Sequence, residues 1–156
     1  MKAVTTIGVI SDTHGLMRLE ALKALDGSAL IIHAGDIGSP TVLDALKQIA
    51  PVLAVRGNND RESWGQEMPL TEKVDVGGHA LYVLHELDHL DFDPVAVGLS
   101  SVIYGHSHKP LAEHRNGVLY LNPGSAGPRR FRLPITVARL FVENEKLDCE
   151  IVKLSL

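Results

Sequence analysis

The chain has 156 residues, of which 45% are hydrophobic and 22% charged, and its net charge is −4. This composition is typical of a soluble globular protein, and we expect residues 1–156 to fold as a single domain. The negative charge argues against a nucleic-acid-binding surface, which is usually basic. Cys149 is the one cysteine, so no intrachain disulfide can form, as is common in a reducing cytosol.

The apolar segments are too short to span a bilayer. The N-terminal run stops at a charged segment without a small-residue cleavage site, and no apolar stretch of about 18 residues follows. We therefore expect a cytoplasmic protein that does not contact membranes. Self-association of the chain into a homo-oligomer stays open.

The first third of the chain alternates strand-like and helix-like segments. Apolar, β-branched runs predict three strands, over 4–11, 29–36 and 51–60. Apolar residues at helical spacing predict a helix over 16–27 and a second one that begins at Ser39-Pro40, where serine suits the N-cap and proline the first turn. Strands and helices that alternate in this way form parallel β-α-β units.

The chain beyond residue 70 has mainly the pattern of antiparallel hairpins. They are predicted over 70–85 around Gly77-Gly78, over 111–125 around Asn116-Gly117 and over 134–154 around residues 143–146. Between the first two, Asp93-Pro94 predicts a short helix to about residue 100, followed by a strand and loop over 100–108. A parallel first half and an antiparallel second half predict two sheets packed together with helices outside.

Polar side chains follow the ends of five predicted strands. They are Asp12 and His14, Asp36, Asn58 to Asp60, His85, and His106 with His108. Ligands bind at the carboxyl edge of open α/β sheets, where parallel neighbours bring their loops together. A single strand-end aspartate usually forms a turn or caps a helix, whereas five such clusters in one chain favour a common site. Glycines flank the clusters, where tight turns or a close approach of the backbone are needed: Gly15, Gly35, Gly57 and Gly105.

The number of nitrogen and oxygen ligands predicts two metal ions. Seven residues exceed what one tetrahedral zinc needs, and the carboxylate of Asp36, after the middle parallel strand, is the natural bridge. Histidines mixed with carboxylates and an amide carbonyl suit transition metals better than Mg or Ca. We expect two divalent ions per chain, with Mn favoured and Ni, Fe, Co or Zn as alternatives.

Such a centre suits phosphoester chemistry. Two dications outweigh two aspartates, so the pocket stays positive and attracts a phosphate. Paired metals about 3.5–4 Å apart also generate a hydroxide nucleophile and stabilise in-line phosphoryl transfer. The sequence therefore predicts a small phosphoester as the substrate.

The order Asp-x-His, Gly-Asp, Gly-Asn-x-Asp, His and Gly-His-x-His resembles the calcineurin-like metallophosphoesterase superfamily. The short length and the stretch "RGNND" resemble its small YfcE-type phosphodiesterases, and the resemblance runs from Ile7 to about Pro128, including "LNPGS" at 121–125. It implies a four-layer α/β/β/α sandwich of two mixed sheets with helices outside. It also implies a phosphodiesterase in which a metal-activated hydroxide attacks the substrate.

The resemblance divides the ligands between two metals. It places one metal on Asp12, His14, Asp36 and His108. It places the other on Asp36, Asn58, His85 and His106. The two histidines of "GHSH" would then fork, one to each metal.

Two positions depart from the family pattern. Larger relatives carry a histidine after the motif asparagine, and it can protonate the leaving group, whereas this chain has Asn59. Asn58 and Asn59 are our candidate catalytic residues, but an amide is no acid, so Asp60, water or a good leaving group has to compensate. Glu86 stands where relatives usually have glycine after the motif histidine, which makes His89 a fallback ligand.

Two non-enzymatic functions compete with this interpretation. One is a non-catalytic scaffold of the same fold, resembling the retromer metallophosphoesterase-like subunit, whose metal site is degraded. The other is a metal-sensing or storage module. Every ligand position is filled here, which favours the enzyme. Arg129 and Arg130 either steer anionic substrates or belong to an ordinary basic loop.

Overall fold

The computed structural model describes residues 3–156, which build two five-stranded sheets. The strands of the first sheet are β1 (Thr5–Ile10), β2 (Leu30–His33), β3 (Val52–Ala54), β9 (Thr136–Val142) and β10 (Leu147–Lys153). Those of the second are β4 (Thr71–Val76), β5 (His79–Leu84), β6 (Ser101–Ile103), β7 (Leu111–Arg115) and β8 (Val118–Asn122). The helices are α1 (Leu19–Leu25), α2 (Pro40–Lys47), the single turn α3 (Ser63–Gln66) and a 3₁₀ turn, Leu87–His89.

Both sheets are mixed. The first has the order β10-β9-β1-β2-β3, with β1, β2 and β3 parallel and the final hairpin added antiparallel to β1. The second has the order β4-β5-β6-β8-β7, and its three central strands are parallel. The three hairpins are confirmed, but the division into a parallel and an antiparallel half is wrong, because each sheet combines both kinds of pairing.

One apolar layer fills the space between the sheets. Val9 and Ile32 of the first sheet pack there against Val83 and Leu121 of the second. A second layer lies beneath the helices, where Leu25 of α1 and Leu46 of α2 cover Ile31. The predicted N-cap of α2 is confirmed, since the Ser39 hydroxyl accepts from the backbone N–H of Thr41 at 3.3 Å.

The outer face of the second sheet is covered by a loop. Leu99 packs there against Val102 and Tyr120. The predicted fold class with two mixed sheets is confirmed, but a loop takes the place of the helical layer on this side. The helix predicted from Asp93-Pro94 to residue 100 is wrong, because this segment forms successive turns. The Asp93 carboxylate accepts from the backbone of Val95, and Gly98 adopts a positive φ of 75° that ends the turn. Within residues 3–156, no helix has the length and apolarity needed to cross a membrane.

The parallel strands of both sheets point their carboxyl ends toward one edge of the sandwich. Strand β3 stops at Ala54, well short of the predicted residue 60, because the chain turns away there into a loop. Backbone hydrogen bonds tie the loops of this edge together, from Asp12 N–H to Gly35 carbonyl at 3.0 Å and from Gly105 N–H to His85 carbonyl at 3.0 Å. The fold thus provides a rigid rim on which side chains can converge.

Candidate metal centre

All seven side chains predicted as ligands meet at this rim. One group contains Asp12, His14 and His108, and an adjoining group contains Asp36, His85 and His106. Within each group, the potential ligand atoms lie within 4.8 Å of one another. Asn58 extends the second group, since its Oδ1 lies 3.1 Å from His85 Nε2. The geometry therefore separates His106 from His108, as expected for the fork in "GHSH".

The Asp12 carboxylate has one anchored and one open oxygen. Its Oδ2 accepts from the Ser11 hydroxyl at 2.6 Å and from the backbone N–H of His106 at 3.0 Å. Its Oδ1 has no hydrogen-bond partner, yet it lies 3.3 Å from His108 Nε2 and 3.8 Å from His14 Nε2. Roughly 3.0–3.4 Å is the separation expected of atoms that each lie about 2.1 Å from one ion. The open oxygen therefore faces the position that a cation would occupy.

Asp36 lies between the two groups. Its Oδ2 is 3.3 Å from His85 Nε2 in the second group and 3.7 Å from His14 Nε2 in the first. This carboxylate is 2% exposed and follows β2, the strand between β1 and β3. Its position suits a carboxylate that is shared by two ions.

Asn59 holds Asp36 in place. Its backbone N–H donates to Asp36 Oδ1 at 2.8 Å, and its side-chain amide donates to Asp36 Oδ2 at 3.0 Å. The side chain at the position of the missing histidine is thus engaged with the central carboxylate. This contact could not be predicted from the sequence, because it joins two loops 23 residues apart.

His85 is oriented by a backbone carbonyl. Its Nδ1–H donates to the carbonyl of Ala34 at 2.7 Å, which directs Nε2 toward Asn58 and Asp36. A second hydrogen bond of this kind commonly fixes the tautomer of a metal-binding histidine. Burial lowers the pKa of His85, but the neighbouring Asp36 and Asp12 carboxylates raise it by more, so the net shift is upward.

The carboxylates of the site are held in their charged form. Burial alone would raise the pKa of Asp12, but the imidazoles of His108 and His85 and the Ser11 hydroxyl outweigh it and lower that pKa. For Asp36, burial is again opposed, by His85 and by both donors of Asn59, and its pKa falls well below the usual range. Burial lowers the pKa of His14, which favours the neutral imidazole that a metal requires.

Unpartnered polar atoms support a cation at this position. Among residues 3–156, five buried side-chain nitrogen or oxygen atoms have no hydrogen-bond partner. Three of them belong to the first group: Asp12 Oδ1, His14 Nε2 and His108 Nδ1. Buried polar atoms of a folded protein are normally paired, so a cluster of orphans needs an explanation. A divalent ion bound to Asp12 Oδ1 and His14 Nε2 would provide one for these two atoms, whereas His108 turns its other nitrogen, Nε2, toward Asp12.

Backbone strain is concentrated in the same residues. Seven non-glycine residues of the described chain have a positive φ, and five are candidate ligands. They are Asp12, His14, Asp36, His106 and His108. Strained residues of this kind cluster at functional sites, where the surrounding structure holds them. The loops thus accept unfavourable conformations in order to aim these side chains inward.

Two glycines allow the loops to approach closely. A Cβ atom at Gly57 would collide with the backbone nitrogen of Asp36, and one at Gly105 would lie 2.7 Å from Asp12 Oδ2. Neither glycine has a positive φ, so the need is for space. The predicted role of these glycines in close approach is confirmed at both positions.

The Asp60 carboxylate connects two loops of the site through hydrogen bonds to their backbone. Its carboxylate is buried and accepts hydrogen bonds from three backbone N–H groups. The donors are Ile37 at 3.2 Å, Gly38 at 3.0 Å and Gly57 at 2.9 Å. These bonds fix the loop after β3 against the loop after β2. They engage both carboxylate oxygens as acceptors, which disfavours the alternative that Asp60 protonates a leaving group.

Glu86 fits its position without strain and contacts the second group. Its φ of −111° lies in the extended region, so no glycine is needed after His85. Its Oε1 is 3.2 Å from His106 Nε2, and its Oε2 is 3.5 Å from His89 Nδ1. His89 is 72% exposed and belongs to neither group, so the structure does not bring the fallback ligand into the site.

His33 is a buried histidine that connects two loops of the site through hydrogen bonds. It is fully buried, its Nδ1 accepts from Gly35 N–H, and its Nε2 lies 3.0 Å from the Thr13 hydroxyl. Burial lowers its pKa to about 4, so the ring is neutral at pH 7. It links the loop after β1 to the loop after β2.

The two-sheet sandwich with two adjoining ligand groups defines a metallophosphoesterase-type fold. The chain belongs to the calcineurin-like phosphoesterase superfamily, whose domain model matches residues 6–145. The resemblance inferred from the motifs is therefore confirmed.

Two curated relatives extend this comparison. A protein of Methanothermobacter thermautotrophicus named "probable metallophosphoesterase" is 34% identical, over 94% of this chain and 91% of its own length. The phosphodiesterase YfcE of Escherichia coli K12 is 31% identical, over 74% of this chain and 76% of its own length.

Solved structures share the fold. A novel archaeal phosphodiesterase superposes with a TM-score of 0.79 at 23% identity, over 95% of this chain and all of its own. Vps29 from Entamoeba histolytica, in complex with zinc, superposes with a TM-score of 0.71 at 20% identity, over 97% of this chain and all of its own. At such identities the likeness concerns the fold alone.

Proposed function

We propose that the protein is a phosphodiesterase that hydrolyses small phosphoesters with two divalent transition metals. Its family membership and its relatives make it a hydrolase of phosphoesters. The observation that carries the finer proposal is the position of Asp36 Oδ2, within 3.7 Å of an imidazole from each ligand group. A shared carboxylate of this kind is what a two-metal centre needs.

The ligand assignment follows the two groups. Asp12, His14, Asp36 and His108 would hold one ion, and Asp36, Asn58, His85 and His106 the other. When bound, the ions lower the pKa of water, which supplies the nucleophile, and they stabilise the charge of the phosphoryl group in flight. Imidazole, carboxylate and amide ligands together favour Mn, Fe, Co, Ni or Zn, and we favour Mn.

The chain's own residues keep the centre organised. Ser11 and the His106 backbone fix one oxygen of Asp12, so that the other faces the ligands. Asn59 does the same for Asp36 through two donors. Ordered donors at charged ligands avoid reorganisation during the reaction, which is a large part of electrostatic catalysis.

No acid of this chain is oriented to protonate a leaving group at the positions expected from the sequence. Asn59 is an amide bound to Asp36, and Asp60 is buried among backbone N–H groups. We propose that the leaving group departs without a proton from either residue. Substrates with acidic leaving groups should then react fastest.

The competing function is a non-catalytic scaffold. The likeness to Vps29 keeps this alternative open, and the zinc complex of that protein means that metal binding alone does not separate the two. Turnover does. We expect purified protein loaded with Mn to hydrolyse bis(4-nitrophenyl) phosphate and to lose that activity in chelator. Absence of turnover with Mn, Ni, Co, Fe and Zn on mono- and diesters would establish the scaffold instead.

A further inference from the structure

A basic loop with an exposed aromatic tip borders the first ligand group. The loop consists of Arg129, Arg130, Phe131 and Arg132, here called the arginine loop, and all four residues are exposed. Three of the 15 basic residues of a chain with net charge −4 thus occupy four consecutive positions. No ion pair within residues 3–156 involves these arginines. Their charge is therefore available to a ligand.

The base of the loop is fastened to the loop that carries Asp12. The Ser125 hydroxyl donates to the Asp12 carbonyl at 3.0 Å, and the Arg18 guanidinium donates to the Gly127 carbonyl at 3.2 Å. A Cβ atom at Gly127 would collide with the backbone carbonyl of Asp12, so the two segments are in close contact. The arginine loop therefore lies at the mouth of the site.

Phe131 is held out into solvent. It is 92% exposed and has a φ of 55°, which is unfavourable for a bulky side chain. A hydrogen bond from Leu133 N–H to the Arg130 carbonyl, 3.2 Å long, closes the turn that presents it. Neither packing nor backbone preference explains this exposure. An aromatic ring between cations is the arrangement on which bases of single-stranded nucleic acids stack, with the phosphates on the cations.

We propose that the arginine loop binds the nucleoside portion of a phosphodiester substrate, with Phe131 stacking on the base and the arginines holding neighbouring phosphates. This inference rests on the proposed function and names its substrate class, a nucleoside phosphodiester. The overall negative charge predicted no nucleic-acid surface, but charge at one loop decides local binding. One exposed aromatic residue is a weak anchor for a membrane, and the attachment of the loop to the Asp12 segment favours a ligand that reaches the metals.

A pair of substrates with the same leaving group tests the proposal. Thymidine 5′-(4-nitrophenyl) phosphate and methyl 4-nitrophenyl phosphate both release nitrophenolate, and only the first has a base. We expect the protein to prefer the thymidine ester in kcat/KM, and Phe131→Ala to reduce that preference roughly fivefold to hundredfold, the range of one base stack. Phe131→Tyr should retain it. An equal kcat/KM for both esters overturns the inference and leaves the phosphodiesterase intact, whereas no turnover of either ester refutes the proposed function.

Direct binding provides a readout that does not depend on turnover. Fluorescence anisotropy of a dye-labelled, eight-nucleotide oligothymidylate is measured with full-length protein in chelator at several salt concentrations. Three phosphate contacts predict a slope of roughly −2 in log K against log salt for a single strand. The triple change Arg129→Ala, Arg130→Ala, Arg132→Ala should abolish this slope. The charge-matched control changes Lys23, Lys47 and Lys73, which are exposed on α1, α2 and β4, to alanine.

The outcomes separate the sources of the ligand. Tight binding of the oligomer and thymidine preference both support the proposal, and preference without oligomer binding narrows the class to mononucleotide esters. An equal loss of oligomer binding in the lysine control variant would show that net charge alone is responsible and would overturn the proposal. Sedimentation with vesicles of phosphatidylglycerol and phosphatidylcholine completes the test. Vesicle binding that depends on Phe131, without thymidine preference, would assign the loop to membranes and refute the inference.

Discussion

Asn59 donates two hydrogen bonds to Asp36, from its backbone to Oδ1 at 2.8 Å and from its side chain to Oδ2 at 3.0 Å. Groups that orient a ligand commonly change metal affinity about 10–100-fold when removed. We therefore expect Asn59→Ala to weaken binding of the more loosely held Mn ion by about tenfold. Calorimetric titration of the metal-free protein with Mn measures this affinity. Gln48→Ala, at the end of α2, is the amide control, and unchanged affinity in Asn59→Ala would show that the backbone donor suffices.

Asp36 is the residue whose loss should affect both ions. Asp36→Asn removes a negative charge while it keeps the shape of the side chain, so we expect at most one bound ion per chain and a loss of hydrolysis. Elemental analysis after reconstitution and desalting gives the stoichiometry. Asp44→Asn on the exposed face of α2 is the matched control. Two retained ions in Asp36→Asn would contradict the shared-carboxylate arrangement.

Glu86 should strengthen the second ion through His106. Its Oε1 is 3.2 Å from His106 Nε2, and His106 is the most exposed imidazole of the two groups, with 47% of its side chain accessible. A carboxylate beside a ligating histidine orients the ring and increases its basicity. We expect Glu86→Gln to weaken one Mn site about tenfold and leave the other unchanged, as measured by the same titration. Asp88→Asn, two residues away, should have no effect; parallel losses in both variants would point to net charge instead.

Particular residues show how far the sequence leads. The common location of four ligands could be predicted from the sequence, because parallel strands bring their carboxyl ends to one edge of a sheet. These ligands are Asp12, His14, His106 and His108. The roles of Asn59 and Asp60 could not be predicted, because each depends on hydrogen bonds between loops that only the folded chain brings together. The helix expected from Asp93 failed because the same Asx–Pro signal also starts a turn, and Gly98 decided for the turn.

His33 predicts a pH dependence of stability. Its pKa is about 4 in the folded protein, because burial opposes its charge, against an ordinary value of 6.5. Between these values the unfolded chain takes up a proton that the folded chain refuses, so stability falls as pH decreases from about 6.5 to 4. The full loss is about 3 kcal/mol.

Urea unfolding in chelator at pH 7, 6 and 5 measures this contribution of His33. His33→Gln should be less stable than the natural protein at pH 7, since it loses buried packing. The difference should narrow toward pH 5, because glutamine does not titrate. His114→Gln, at an exposed position on β7, is the control. A difference that stays constant with pH would show that His33 is not the group responsible.

The engagement of Asn59 and Asp60 in other hydrogen bonds predicts a steep dependence of the rate on the leaving group. A general acid typically contributes about 10²–10⁴ in rate, and neither Asn59 nor Asp60 is placed to act as one. Across aryl methyl phosphodiesters with graded phenol pKa, we expect log kcat/KM to fall steeply as that pKa rises, and alkyl esters to react very slowly. Asn59→His introduces an imidazole at this position but removes the side-chain bond to Asp36, so a flatter dependence should come with weaker metal binding. Measuring the leaving-group dependence of Asn59→His and Asn59→Ala at saturating Mn separates proton donation from weaker metal binding. Asn59→Ala is the control, because it loses the bond to Asp36 and gains no acid. A flat dependence in the natural protein, with chemistry shown to be rate-limiting, would mean that another group donates the proton, and Glu86, the carboxyl group beside His106, is then the first residue to replace.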